Sequence, residues 1–196
     1  MAGTLIILAS GSPRRKALLE QIGLVFCVVS PEAEEMKDGL APGPLTEHNA
    51  RLKALAAAET IKEPAVIIAA DTVVCINREI LGKPRDCADA RNMLKKLSGK
   101  RHEVTTGCCL LKSGGSEPEI ITFHETAGVN IRMLNDTEID AYTASGEPMD
   151  KAGAYAVQGL GSALVPRIEG DYYTVMGLPV ARLCEELKTF GVYVLS

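Results

Sequence analysis

The stretch Leu5-Ile6-Ile7-Leu8-Ala9-Ser10-Gly11-Ser12-Pro13-Arg14-Arg15 decides how this chain begins to fold. Four large apolar residues, Leu5 to Leu8, predict a short buried strand. The strand empties into Ala9-Ser10-Gly11, small residues that let a backbone pass close to another chain or a ligand. Ser12-Pro13 predicts a helix start, with Ser12 as the cap and Pro13 in the first helical position. Arg14 and Arg15 then fall in the first turn, where the helix dipole disfavours cations. Two guanidinium groups beside backbone N–H groups suit an anion, phosphate first among them, and a solvated basic turn is the plainer alternative.

Working outward, the strand–helix alternation continues through the first half. Strand-like runs fall at 25–29, 65–70, 73–76, 103–111 and 120–133, and helical patterns at 13–21, 45–61, 88–97, 136–143 and 180–190. Asn135 with Glu138 reads as a capping box, and Ser98-Gly99 as a helix stop. The two long runs in 103–133 follow one another across Ser113-Gly114-Gly115-Ser116, which predicts a hairpin and excludes a purely parallel sheet. The expected fold is α/β, a mixed twisted sheet with flanking helices, as one domain across 1–196. Residues 30–44, acidic and rich in glycine and proline, are too long for a mere connector.

The 196 residues can enclose a real core, and 46% apolar content is ordinary for a globular protein. The net charge of −4 argues against a general nucleic-acid binder but leaves room for one anionic ligand in a basic pocket. Six cysteines include no C-x-x-C pair, and the three histidines lack zinc-ligand spacing. Cys27, Cys75, Cys108 and Cys109 lie in apolar runs, which predicts buried structural thiols in a reducing compartment. Nothing has the pattern of a signal peptide or the length of a membrane span, so the expectation is a cytoplasmic protein without a membrane partner.

Asp71 closes the apolar run at 65–70, and a carboxylate there is costly unless water, a cation or a metal meets it. Strand ends in α/β sheets are also common ligand sites. Glu32, Glu34 and Glu35 cluster after the second strand; a hard divalent ion takes such carboxylates together with waters and phosphates, whereas a solvated acidic loop is the ordinary alternative. Arg51 and Lys53 lie two apart on a helix and point in different directions. Lys83, held in a turn between Gly82 and Pro84, offers a mobile point charge to phosphate oxygens. Asp150 and Lys151, in the polar turn at 147–153, either pair with each other or engage metal and phosphate. The Gln158 amide offers a donor and an acceptor, which suits a pyrimidine edge or an ordinary backbone bond.

Ser10-Gly11-Ser12-Pro13-Arg14-Arg15, Ala70-Asp71-Thr72, Gly82-Lys83-Pro84, Leu97-Ser98-Gly99, Glu147 through Tyr155 with Gln158, Asp171-Tyr172-Tyr173 and Val175 through Pro179 occur in that order along nearly the whole chain. The ordered set resembles the Maf family of nucleoside triphosphate pyrophosphatases. The resemblance implies an elongated, two-lobed Ham1-like fold around a central cleft, faced by Ser10, Arg14, Asp71, Lys83, Asp150 and Gln158. It implies hydrolysis between the α- and β-phosphates, with Asp71 as the proton-accepting carboxylate and Lys83 beside it as a catalytic cation. A divalent cation, Mg²⁺ or Mn²⁺, is expected on Asp71 with Glu34 or Glu35. Substrate contacts are expected from Ser10, Arg14, Arg15, Lys53, Thr72, Asp150, Lys151 and Gln158, and a homodimer is compatible with the resemblance. Arg14, Thr72 and Gln158 match positions tied to dTTP and UTP in the family. The 7-methyl-GTP branch instead carries Cys before Ala-Gly and Glu in place of Gln158. Ala156-Val157 departs from the usual Gly-Ile and adds a methyl group near the expected base pocket. No Walker A loop is present, which disfavours a P-loop enzyme. A nucleotide-binding regulator of cell division without turnover, and a 7-methyl-GTP pyrophosphatase, are the two rival readings.

Overall fold

The structure, a computed structural model, describes residues 4–37 and 39–195. Strand β1 (Leu5–Ala9) leads to helix α1 (Pro13–Gln21), strand β2 (Cys27–Val29) and helix α2 (Pro42–Thr60). Strands β3 (Ala65–Ile76) and β4 (Glu79–Leu81), helix α3 (Cys87–Leu97) and the long strands β5 (Arg101–Lys112) and β6 (Glu119–Asn130) follow. Helix α4 (Asp136–Ala144), three short 3-10 turns, strand β7 (Arg167–Glu169) and helices α5 (Tyr172–Met176) and α6 (Val180–Thr189) complete the order. Among the described residues the strands form a seven-stranded sheet in the order β2-β1-β3-β5-β6-β7, with β4 on β3. Strand β1 is parallel to β2 and β3, whereas β4 runs antiparallel to β3 and β7 to β6. The sheet is therefore mixed, as the hairpin at 113–116 requires.

The chain clusters into two compact units. The first holds the described residues through Asp71, with Thr106–Glu125 and the segment from Gly177 onward. The second holds Thr72–Thr105 and Thr126–Met176.

In the first unit α2 lies close against the sheet because its inner face is alanine. Ala50, Ala54 and Ala57 recur at helical spacing and pack with Ile7, Ile67, Cys109 and Leu111. Gly107 completes this contact: a Cβ there would stand 2.4 Å from the α2 backbone at Thr46 and Glu47. Burying each large aliphatic side chain of this core contributes about 1.5–3 kcal/mol. Helix α2 begins at Pro42, earlier than position 45, because Pro42 and Pro44 occupy a first turn whose N–H groups need no helical partner.

The second unit has its own core of larger residues, with Val74, Leu94, Leu97, Val129, Ile139 and Leu164 among its members. Asn135 and Glu138 form the complete reciprocal cap of α4.

Three expectations need correction. Ser12 occupies the cap position of α1, but its side chain does not cap; its N–H donates instead to Ser10 Oγ at 3.2 Å. Strand β3 does not stop at Asp71 but runs unbroken to Ile76, since the carboxylate has partners within the fold. The cysteines divide: Cys108 and Cys109 are buried, Cys75 is half-buried, and Cys27 is exposed because β2 is a short edge strand.

Candidate active site

Within the first unit, the chemistry gathers where α2, β3 and the acidic segment after β2 meet. Lys53 of α2 places Nζ 2.7 Å from Asp71 Oδ1 and 3.0 Å from Glu35 Oε1. One ammonium thus joins two carboxylates. Asp71 Oδ2 accepts a further hydrogen bond from Asn49 Nδ2 at 3.1 Å. Asp71 is 8% exposed, and a carboxylate so withdrawn is tolerable because each oxygen has its own donor. Of the three glutamates, Glu35 joins the cluster. Glu34 is exposed, and its carboxylate has no ion pair among the described residues.

Ser10 and Arg15 form a second feature of this unit. Arg15 Nη1 donates to the buried Ser10 Oγ at 3.2 Å, and Nε donates to the Gly177 carbonyl at 2.8 Å. Burial pulls the Arg15 pKa below its ordinary value, while the negative charges of Asp71 and Glu35 act in the opposite sense. The side chain expected to bind an anion therefore also ties α1 to the segment at Gly177. Arg14, its neighbour in the same turn, is half-buried.

In the second unit Lys83 is exposed, and its ammonium has no ion pair among the described residues. Its turn is fixed through the preceding residue: Gly153 N–H donates to the Gly82 carbonyl at 3.0 Å. Asp150 and Lys151 do pair, at 2.5 Å, and Lys151 Nζ also donates to the Glu147 carbonyl at 2.7 Å. Thr72 is half-buried in β3, and Gln158 is exposed. Gly153 and Ala154, just after Lys151, adopt left-handed φ angles of +68° and +58°. For an alanine this conformation costs about 1–2 kcal/mol.

Three groups here escape sequence reasoning. Glu147 Oε1 accepts from Tyr142 Oη at 2.9 Å and from Gly161 N–H at 2.9 Å, while Oε2 accepts from Leu160 N–H at 3.0 Å. Tyr142 Oη in turn accepts from Ala156 N–H at 3.1 Å. The turn bearing Gln158 is thereby pinned on both sides. His102 Nε2 meets Tyr155 Oη at 2.7 Å, and burial pushes its pKa down to about 4. Asn49, four residues before Lys53 on α2, is the third; the spacing was the one available signal.

Among the described residues, no group of three or more His, Cys, Asp or Glu side chains is assembled to hold a metal. Asp71 and Glu35, already converging on one cation, have the chemistry of a hard-ion site that takes its other ligands from water and phosphate. Among the described residues no helix is long and apolar enough to cross a membrane.

Residues 5–190 match the family described as Maf-like protein. The dTTP/UTP pyrophosphatase of Bacillus cytotoxicus is 49% identical over 185 residues, 94% of each chain. That of Lachnoclostridium phytofermentans is 46% identical over 188 residues, 95% of each chain. A HAM1 protein from Coxiella burnetii shares the fold, with a TM-score of 0.52 at 16% identity, covering 95% of this chain and 100% of that one. With a match that begins at β1 and extends to the residue after α6, this chain belongs to the Maf-like protein family.

Proposed function

We propose that this protein hydrolyses dTTP and UTP to the monophosphate and pyrophosphate, in the cytoplasm, and so removes unwanted pyrimidine nucleotides. The observation that carries the reading is the Asp71–Lys53–Glu35 cluster, in a chain whose full-length relatives bear that activity in their names.

Asp71 orients the attacking water and accepts its proton, and a positioned base of this kind contributes about 10²–10⁴-fold. Lys53 holds Oδ1 of Asp71 until the substrate arrives and shares its charge with Glu35. A divalent cation, Mg²⁺ or Mn²⁺, would be held by Asp71 and Glu35 and would neutralise phosphate charge. Arg14 and Lys83 supply further positive charge to the triphosphate, the electrostatic contribution that dominates many enzymes. Ser10 and Arg15 shape the phosphate end through their mutual bond. Thr72, Asp150, Lys151 and Gln158 are assigned to substrate on the strength of the motif match. Gln158 presents its amide to the pyrimidine edge.

Pyrophosphate release from dTTP, UTP, 7-methyl-GTP and the purine triphosphates, with Mg²⁺ or Mn²⁺, tests the reading. Preference for dTTP and UTP is the expected result. Preference for 7-methyl-GTP would overturn the substrate, and binding without turnover of any triphosphate would leave a regulator.

A further inference from the structure

Asn49 is 2% exposed, and its amide is fully engaged. Oδ1 accepts from Met36 N–H at 2.9 Å; Nδ2 donates to the Met36 carbonyl at 2.9 Å and to Asp71 Oδ2 at 3.1 Å. The paired bonds to Met36 fix the plane of the amide, so the third bond reaches Asp71 from a set direction. A carboxylate otherwise turns broadly about its last torsion. Here Lys53 holds Oδ1 and Asn49 holds Oδ2. Met36 directly follows Glu35, so Asn49 and Lys53, one helical turn apart, grip adjacent residues of the acidic segment and both grip Asp71. Packing alone would be served by leucine, which is nearly the same size and has no polar atoms to satisfy.

We infer that Asn49 is a positioning residue for the hydrolysis. It registers the acidic segment against Asp71 and sets the plane in which Asp71 meets the attacking water. The inference rests on Asp71 being the base.

Asn49→Leu removes every bond, whereas Asn49→Asp keeps an acceptor for Met36 N–H and loses the Nδ2 donor to both Asp71 and the Met36 carbonyl. Both are compared with wild type and Asp71→Asn in steady-state turnover of dTTP, thermal melting and amide exchange at Met36. A misoriented reacting group costs on the order of 10²-fold, so kcat should fall about 10–100-fold in both Asn49 variants with KM within about threefold. Met36 exchange should quicken in Asn49→Leu and stay near wild type in Asn49→Asp; a loss of kcat in both variants with exchange changed in only one is what a purely structural role would not produce. Wild-type kcat in either folded variant, alongside an inactive Asp71→Asn, overturns the role of Asn49 alone. Should Asp71→Asn itself turn over normally, the reading of Asp71 falls and the inference falls with it. If Asn49→Leu does not fold, Asn49→Asp decides the matter on kcat.

Discussion

The Asp71 carboxylate and the Lys53 ammonium stand 2.7 Å apart, with side chains only 11% and 13% exposed. This ion pair makes Asp71 a held carboxylate, not the unpartnered one that its place after an apolar run suggests. The difference governs what its removal does.

Asp71→Asn should lower turnover by about 10²–10⁴-fold, the range of a positioned base. The substitution also strips Lys53 of its closest partner. Glu35 remains on the ammonium, so the melting curve should shift by less than the roughly 3–5 kcal/mol seen when a buried pair loses one member. Pyrophosphate release and a denaturant melt on the same preparation check both parts. Normal turnover in the folded variant would remove Asp71 from the mechanism.

Lys53→Met should be the more damaging change to stability, because it leaves two carboxylates facing each other across an apolar side chain. A loss of about 3 kcal/mol is expected. Added Mg²⁺ or Mn²⁺ should raise the melting temperature of this variant more than that of wild type, since the ion replaces the missing ammonium. An equal response in both proteins would separate the metal from these carboxylates.

Glu147→Gln should loosen the turn that carries Gln158. The carboxylate accepts from two backbone N–H groups and one hydroxyl, and an amide would turn a donor toward one of them. The cost is about 1–3 kcal/mol, with a raised KM for dTTP and a smaller effect on kcat. Burial opposes ionisation of Glu147, but the N–H groups of Gly161 and Leu160 and the Tyr142 hydroxyl outweigh it and lower the pKa from 4.5. The stabilisation is therefore present above pH 4.5 and lost as pH falls through the lower folded value. An unchanged KM in a folded Glu147→Gln protein would count against the brace.

His102 titrates in a different window. Its pKa falls from 6.5 to about 4 on folding, so between those values the unfolded chain binds more protons and stability drops with acid. The loss across that window is about 3 kcal/mol. His102→Gln keeps a polar contact to Tyr155 without the titration and should flatten the profile between pH 6.5 and 4. Denaturant melts at pH 7 and pH 5 measure the difference, and parallel slopes for the two proteins would contradict it.

What could be read from the chain was local. Strand β1 and helix α1 fall at the expected residues because Leu5–Leu8 and Ser12-Pro13 state their conformations within a few positions. The α4 capping box is legible for the same reason, being contained in residues 135–138. Asp71 and Lys53 stand out as residue types, yet their pairing depends on how α2 settles on β3, which no local pattern reports. Glu147 looks like an ordinary loop acid, and its role appears only when Leu160 and Gly161 return to it. His102 is flanked by Arg101 and Glu103, and its burial follows from the alternation at the start of β5, which turns it to the core between two exposed residues.

Gly107 has no functional group, yet the helix bearing Asn49 and Lys53 rests where its side chain would be. One added methyl would lift α2 and shift both donors away from Asp71 together. Hydrolysis rate is thus exposed to drift at a residue that no chemist would place in the reaction. Laboratory selection for slower or faster variants should find a lever there, one that alters speed by height alone and leaves the identity of every reacting group as it was.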